Sequence, residues 1–378
     1  MTVSEIRLSE RDNHWELTAQ LACDTGWILD RKPFGLWYRF PFENREWLDC
    51  ENADPFLAAC LAPAMCLGES LIIEGLVSPK LLKAVPEIQT ILRSWNPALS
   101  EVMVSIGTRT TPGASSSTPS NAGLFFSLGV DSAYSLAKNM TRYRTGDEAL
   151  TELITVFGFD VYLSEAERFP PMIGNVRRVA ETYGKDVLSV STNLREFSDK
   201  IVDWVSQYHG AGLASVALAL GAKFNRVLIA ATHTYSHLLP LGSHPLLDPL
   251  WSTETLTFVH DGCEADRLTK IRAISHFPHL LKLLRICATG EVTDEYNCGR
   301  CPKCLMTMIG LRIAGVLEQC ETLPHTIDLA KVRNMPVKNS TQRMYIEQLI
   351  EALDASGDQI SLRCALHDCL AASKRVQG

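Results

Sequence analysis

The sequence predicts an α/β protein built on a doubly wound parallel sheet, with a small N-terminal α+β domain in front of it and a cysteine cluster and helical tail behind it. Two observations carry this prediction. From Gly123 onward, short apolar runs alternate with helical patterns, which is typical of parallel sheets. A stretch rich in Ser, Thr, Pro and Gly separates this region from the elements before it. The expected segments are 1–109, 110–122, 123–315 and 316–378.

The length and composition of the chain limit the classes of protein to which it can belong. The chain has 378 residues, of which 46% are hydrophobic, enough for two buried cores. The net charge of −7 argues against a nucleic-acid partner, because binding a phosphate backbone requires a basic face. No run reaches the ~18 apolar residues of a membrane span, and the N-terminal residues carry charges throughout. We therefore expect a cytoplasmic protein with no membrane partner and with reduced thiols.

The N-terminal region contains strand and helix patterns but no chemical motif. Alternating apolar residues predict strands at 14–21, 35–40 and 101–106, and apolar residues at helical spacing predict a helix at 79–95. The segment 110–122 that follows is either a passive connector or a lid that folds over a ligand, because it precedes the turn described below.

The strands beyond Gly123 predict where a ligand binds. The pattern indicates further strands at 152–157, 186–190, 226–231 and 255–259, and helices around 165–183, 193–207 and 210–224. In such sheets ligands bind beyond the carboxyl ends of the strands. The loops expected to surround the site are therefore 127–132, 158–164, 191–195 and 232–250.

The turn after the first of these strands is a candidate anion site. The sequence Ser127-Leu-Gly-Val-Asp-Ser132 brings hydroxyls, a glycine and backbone amides to the start of a helix. Free amides and the positive end of the helix dipole favour phosphate oxygens there. The alternative is an ordinary strand-to-helix corner in which Asp131 and Ser132 cap the helix.

This turn resembles the signature Ser-Gly-Gly-x-Asp-Ser of the PP-loop ATP pyrophosphatases. Ser127, Gly129, Asp131 and Ser132 are in register, whereas Leu128 stands where the family has glycine. The resemblance implies a HUP-like domain in which the segment from Ser127 to Ser132, including Leu128 and Val130, binds the triphosphate of ATP, with Mg²⁺ near Asp131.

A second motif is a cluster of four cysteines. Cys287, Cys298, Cys301 and Cys304 have the spacing C-x10-C-x2-C-x2-C, and a helix pattern follows the last of them. Four thiolates suit a structural tetrahedral Zn²⁺ ion. An iron–sulfur cluster and unligated thiols are the alternatives, and Cys320 is a spare thiol.

The order of the two motifs indicates a resemblance to one particular family of PP-loop proteins. A PP-loop followed by such a cysteine knuckle is similar to the 7-cyano-7-deazaguanine synthases, over roughly residues 123–315. The resemblance implies ATP-dependent activation of a carboxylate and attack by ammonia. The N-terminal region and the tail from about 321 have no counterpart in that family.

The loops after the later strands supply candidate substrate contacts. Gly158 and Asp160 follow the second strand, where Asp160 either meets the ribose or base of ATP or caps a helix. The small residues at 207–215 either approach a ligand or pack closely. The segment 232–254 is long for a compact domain and rich in His, so we interpret it as a wall of the substrate site, with His233 nearest the strand.

The predicted reaction is AMP- and pyrophosphate-forming activation of a small-molecule carboxylate or amide, followed by attack of a nitrogen nucleophile. In this hypothesis Ser127 and Ser132 hold the departing pyrophosphate, and His233 or His237 moves a proton. A sulfur-inserting enzyme, with Cys263 as carrier thiol, and a nucleotide-binding scaffold without catalysis are the alternatives. The amphipathic tail helix at 341–353 packs on the body or on another subunit, which leaves a homo-oligomer open.

Overall fold

The computed structural model describes residues 1–25, 32–107, 121–143, 145–146, 148–287, 295–357 and 359–376, and it confirms an α/β fold. A ten-stranded sheet runs through the molecule in the order β10-β9-β6-β7-β8-β3-β2-β1-β4-β5. Its strands are β1 (Thr2–Arg11), β2 (His14–Ala22), β3 (Phe34–Pro41), β4 (Leu71–Ile73), β5 (Val104–Ile106), β6 (Asn121–Phe125), β7 (Glu152–Phe157), β8 (Asp186–Thr192), β9 (Phe224–Ala230) and β10 (Thr257–Asp261).

The half of the sheet from β10 to β8 is parallel throughout. Strand β6 lies in its middle, and the chain continues to β7 and β8 on one side before it crosses to β9 and β10 on the other. The direction of winding therefore reverses between β6 and β9. In open α/β sheets the crevice at such a reversal, outside the carboxyl ends of the strands, is where ligands bind.

The N-terminal strands extend the same sheet. Strand β3 pairs antiparallel with β8 through Tyr38 and Arg39, so the predicted N-terminal α+β region is continuous with the parallel half. Strand β1 was not predicted from the sequence, because its pairing with β2 shifts between Ser4 and Arg7. Glu5 has φ +51° at this bulge, which interrupts the apolar alternation by which strands are recognised.

Helices cover both faces of the sheet. They are α1 (Asp54–Leu67), α2 (Pro79–Trp95), α3 (Val130–Arg142), α4 (Phe169–Tyr183), α5 (Leu194–Ser198), α6 (His209–Leu218), α7 (Arg267–Ile274), α8 (Pro278–Lys282), α9 (Pro302–Ile313), α10 (Leu329–Arg333), α11 (Ser340–Ser356) and α12 (Ile360–Val376). Neighbouring residues of β6 point to opposite cores: Leu124 packs with α3 and α4, and Phe125 packs with α1 and α6. The sheet is thus buried on both sides in its centre, as parallel sheets require.

Some predicted elements are shorter or displaced. The helix expected at 193–207 is instead α5 and a separate π turn at Trp204–Tyr208, because Asp203 accepts a hydrogen bond from the Ser206 amide and restarts the helix. The helix expected at 210–224 ends at Leu218, the one expected from 165 begins at Phe169 after a 3-10 turn, and the strand expected at 101–106 is only Val104–Ile106. Of the predicted connector or lid at 110–122, residues 110–120 lie outside the described part of the chain.

The tail forms a third cluster of buried side chains. Residues of α11 and α12, including Ile346, Leu349 and Leu366, pack against Leu305 and Ile309 of α9. The predicted tail helix therefore packs on the body of its own chain. Among the described residues, no helix combines the length and apolar character that crossing a bilayer requires.

Candidate nucleotide site and metal centre

A cavity of about 220 Å³ lies at the carboxyl ends of β6, β7 and β9, where the winding of the sheet reverses. Its wall includes most of the predicted phosphate turn, an apolar side and several cations. The residues that line it include Ser127, Gly129, Val130, Asp131, Ser132, Val156, Phe159, Asp160, Met172, Arg267, Arg285 and Lys303. The volume is below the ~300–1,000 Å³ of most small-molecule sites, so a whole nucleotide would extend beyond it.

Four backbone amides of the turn are free. Helix α3 begins at Val130, and its N-cap Gly129 has no side chain to accept a bond. Within the described residues, no group accepts a hydrogen bond from the amides of residues 129–132. The Ser132 hydroxyl instead donates to the Gly129 carbonyl at 3.2 Å and lies 3.4 Å from the Ser127 amide. The turn therefore presents unsatisfied donors to the cavity, as a helix N-terminus that binds anions does.

Leu128 adopts the backbone conformation that glycine favours, but its side chain points away from the cavity. Its φ is +63°, in the left-handed region. The side chain has no exposed surface and belongs to the same buried core cluster as Leu136. A leucine at this position therefore leaves the phosphate turn open, at a backbone cost of about 1–2 kcal/mol.

Asp131 is paired with cations rather than left free. Its Oδ1 lies 2.9 Å from the Lys270 ammonium, and its Oδ2 lies 3.8 Å from the Arg267 guanidinium. Lys270 is fully buried and also donates to the carbonyl of Ala231 at the end of β9. This network fixes the first turn of α3 against α7 and against the end of the central strands.

Arg285 is a buried cation that lines the cavity. Its side chain is 7% exposed, and its Nη1 lies 4.0 Å from Asp160 Oδ2. Its Nη2 is buried and has no hydrogen-bond partner among the described residues. A buried donor without a partner is unfavourable, and Arg285 lines the cavity, so an anionic ligand that accepted a hydrogen bond from this guanidinium would remove that cost.

The two residues predicted after the second strand have different positions. Asp160 lines the cavity and faces Arg285. Gly158 does not line it: its φ is +104°, and a Cβ there would lie 2.0 Å from the Thr192 carbonyl. Gly158 thus allows the strand ends to pack closely, and the structure gives it no contact with the cavity.

A second cavity of about 360 Å³ adjoins the first and shares His209, Ala230 and Thr232 with it. His233 lines this second cavity, and its buried Nδ1 has no partner among the described residues. Burial lowers the pKa of His233, although nearby Asp131 opposes the shift. His237 is exposed, contacts Ser236 through Nδ1 at 2.9 Å and lines neither cavity.

The His-rich segment is anchored by a buried carboxylate. Asp248 has no exposed surface and contacts His260 Nδ1 at 2.7 Å, and it accepts from the Ser243 hydroxyl at 2.8 Å. Gly210 of α6 donates to the Gly242 carbonyl at 2.9 Å. The small residues at 207–215 therefore serve close packing against this segment, which was one of the two interpretations.

The four predicted cysteines form one cluster. Their sulfur atoms all lie within 4.8 Å of one another, and Cys287 Sγ is 3.3 Å from Cys304 Sγ and 4.0 Å from Cys301 Sγ. Zinc bonds of ~2.3 Å in a tetrahedron place sulfurs about 3.8 Å apart, so the cluster fits a Zn²⁺ ion. Contacts among the thiols lower the pKa of Cys287 and raise the pKa of Cys304; because metal ligands must be thiolates, metal binding would release protons from the cluster.

The cysteine cluster and the first cavity are built from the same segments of the chain. Arg285 precedes Cys287 by two residues, and Lys303 lies between Cys301 and Cys304. The Asn297 side chain accepts from the amides of Ile286 and Cys287, which fixes the chain next to the first ligand. The segments that carry the thiolates therefore also present two cations to the cavity.

Sequence reasoning missed the cations of the site. Arg267 and Lys270 are three residues apart on one face of α7, and Arg285 and Lys303 lie within or beside the cysteine motif. The sequence did contain one indication of them, because basic residues lie within and beside the cysteine motif. Cys263, the candidate carrier thiol of the sulfur-inserting alternative, is 1% exposed and lines neither cavity.

No protein-family model matches the chain, and neither a curated protein nor a solved structure is significantly similar to it. The assignment of a function therefore depends on the geometry described above.

Proposed function

We propose that the protein binds ATP at the turn 127–132 and cleaves it to AMP and pyrophosphate while activating a carboxylate or amide. The observation that carries this proposal is the pairing of four free amides at the N-terminus of α3 with the unpartnered guanidinium nitrogen of Arg285 in one cavity. Both features favour a ligand with several negative oxygens. Arg267 and Lys303 add positive charge to the same wall.

The other wall suits the base of a nucleotide. Val156, Phe159 and Met172 give the cavity an apolar side next to Asp160. An adenine packs on such a surface, and a carboxylate beside it accepts hydrogen bonds from ribose hydroxyls. Asp160 is 49% exposed, so it can meet a ligand while it faces Arg285.

The proposed reaction has two steps. An oxygen of the substrate carboxylate or amide forms a bond to the α-phosphorus of ATP, and the bond from that phosphorus to the bridging oxygen breaks, so pyrophosphate leaves with the electron pair. A nitrogen nucleophile then adds to the activated carbon, and AMP leaves. The free amides, Ser132 and Arg285 would stabilise the charge of the departing pyrophosphate. His233, kept neutral by burial, would accept the proton of the nucleophile.

Two sequence-based alternatives have less support. A sulfur-inserting enzyme needs an accessible carrier thiol, but Cys263 is buried. A scaffold without catalysis would be expected if Leu128 blocked the turn, but the Leu128 side chain packs in the core and leaves the turn free.

Product analysis tests the proposal. Zinc-loaded protein is incubated with ATP, Mg²⁺, ammonia and a panel of carboxylic acids, and the nucleotides are separated by chromatography. The proposal predicts AMP and pyrophosphate in equal amounts, with release abolished by Ser132→Ala combined with Arg285→Gln. Formation of ADP and phosphate, or ATP binding without cleavage for every acid, would contradict it.

A further inference from the structure

The second cavity is a binding site that the proposed chemistry leaves unassigned. It meets the nucleotide cavity at His209, Ala230 and Thr232, where β9 ends. A molecule held in it would therefore lie beside the ligand of the first cavity. Its volume of about 360 Å³ is the larger of the two.

The walls of the two cavities differ in charge. Among the described residues, no Asp, Glu, Lys or Arg lines the second cavity, whereas the first is lined by carboxylates and cations. The second has an apolar wall and a polar wall without charged acids or bases. The apolar wall contains Val205, Leu238, Leu239, Leu241 and Pro245, and the polar wall contains Ser243, Asn339, Ser340, Thr341 and Gln342.

The histidines of the second cavity do not change this contrast. Burial lowers the pKa of His209, His233 and His244, so these rings are neutral near pH 7. His260 is the exception, and its charge is balanced by its contact with buried Asp248 at 2.7 Å. A charged group on the ligand would therefore be desolvated without a counter-charge, which is costly.

The C-terminal tail forms part of the wall. Residues 339–342 at the start of α11 line the cavity, and the Tyr345 hydroxyl donates to the Thr232 carbonyl at 3.1 Å. Asn339 accepts from the Gln342 amide and fixes this first turn. The tail thus holds the end of β9, where the two cavities meet, and completes the second cavity.

We propose that the second cavity binds the molecule to be activated, a monocarboxylic acid with an uncharged and largely apolar body. The cavity has the liquid volume of roughly twelve waters, which suits a body of about a dozen non-hydrogen atoms. The body packs on the leucine wall, and the carboxylate lies at Thr232, facing the first cavity. The carboxylate part of this inference rests on the proposed function, and the uncharged body rests on the cavity wall alone.

Calorimetric titration without nucleotide tests the inference. The probes are benzoate, indole-3-carboxylate and hexanoate, and the comparison acids with charged bodies are glutamate and lysine. We expect the three apolar acids to bind and the two charged ones to bind at least tenfold more weakly. Equal binding of glutamate or lysine, or no binding of any apolar acid to the wild type, would overturn the inference.

A substitution that fills the second cavity tests whether the acid and ATP bind at different sites. Leu239 is half-buried in the wall, and Leu246 of the same segment is 58% exposed and lies outside it. Leu239→Trp should weaken the apolar acids at least tenfold and leave the ATP dissociation constant unchanged, whereas Leu246→Trp should change neither. A loss of ATP affinity in Leu239→Trp would place the nucleotide in this cavity and overturn the inference. Failure of the wild type to bind ATP would instead refute the proposed function, since the acid titrations contain no nucleotide.

Discussion

The backbone amide of Arg285 donates a hydrogen bond to the carbonyl of Leu128 at 3.0 Å. This bond joins the segment that leads into Cys287 to the turn at the N-terminus of α3. The guanidinium of the same arginine lines the cavity that this turn borders. The cysteine cluster therefore positions a cation against the candidate phosphate turn, although the two motifs are far apart in the sequence.

Metal removal should weaken ATP binding. We expect zinc at the cysteine cluster to order the segments carrying Arg285 and Lys303, and we expect chelation or Cys298→Ser to remove it. Losing one charge-assisted hydrogen bond costs about 1.5–3 kcal/mol, so the ATP dissociation constant should rise about tenfold or more. Zinc content by elemental analysis and ATP affinity by calorimetry check this together. Cys364→Ser, at an exposed cysteine of α12, is the control and should change neither. Loss of zinc with unchanged ATP affinity would contradict the coupling.

At position 128, glycine should give a more stable protein than alanine, which is the reverse of the usual order of stability. Both Leu128→Ala and Leu128→Gly remove a fully buried side chain, for which about 3–5 kcal/mol is expected. Only glycine also relieves the strain of φ +63°, which contributes about 1–2 kcal/mol. Urea unfolding should therefore show Leu128→Gly to be more stable than Leu128→Ala. The opposite order would mean that the backbone at this turn is not left-handed.

Lys270 and Asp131 should be energetically coupled. Lys270→Met leaves the Asp131 carboxylate with only the distant Arg267, and Asp131→Asn leaves a fully buried ammonium. Each single change should cost about 1–3 kcal/mol, discounted because Asp131 is partly exposed, and the double change should cost less than their sum. Chemical unfolding of the four proteins gives the coupling free energy. Lys282→Met, in the exposed pair with Glu321, should be near neutral. If the costs of the two single changes were additive, Lys270 and Asp131 would not form an energetically coupled ion pair.

Folding stability should fall as the pH rises through about 9. Burial disfavours the His260 imidazolium, but the neighbouring Asp248 carboxylate and Cys263 thiol outweigh this and raise its pKa to about 9. A raised pKa stabilises the fold fully below the unfolded value of ~6.5, and the contribution, up to about 3 kcal/mol, is lost as the pH rises toward and past 9. Unfolding free energies between pH 6 and 10 measure this loss. Asp248→Asn should be less stable at pH 6 and should flatten the profile, whereas an unchanged slope in this variant would contradict the assignment.

The sequence predicted the parallel half of the sheet well, because its strands are short apolar runs with helices between them. The cysteine cluster was also predicted, since its spacing alone brings the thiols together. The N-terminal part was predicted less well. The bulge at Glu5 hides β1, and nothing in the sequence indicates that β3 pairs with β8, because this pairing joins residues far apart in the chain.

The site was predicted only in part, for a similar reason. Local sequence indicates the turn 127–132, but not that Leu128 turns its side chain into the core. The cations Arg285 and Lys270 reach the turn from other elements, and such convergence depends on tertiary packing. The two histidines illustrate this: the sequence favoured His233 because it is nearer to the strand, but only the structure shows that His233 lines a cavity and that His237 is exposed.

The most direct test of the account is the ATP affinity of Arg285→Gln, measured by calorimetry beside Arg177→Gln. Arg177 is an exposed residue of α4 outside the cavity, so it controls for the change in net charge. Because Arg285 lines the cavity and its guanidinium has a nitrogen without a partner among the described residues, Arg285→Gln should weaken ATP binding about tenfold or more, while Arg177→Gln should bind ATP as the wild type does. Equal ATP affinity in all three proteins, or no ATP binding by the wild type, would contradict the claim that this cavity holds the triphosphate.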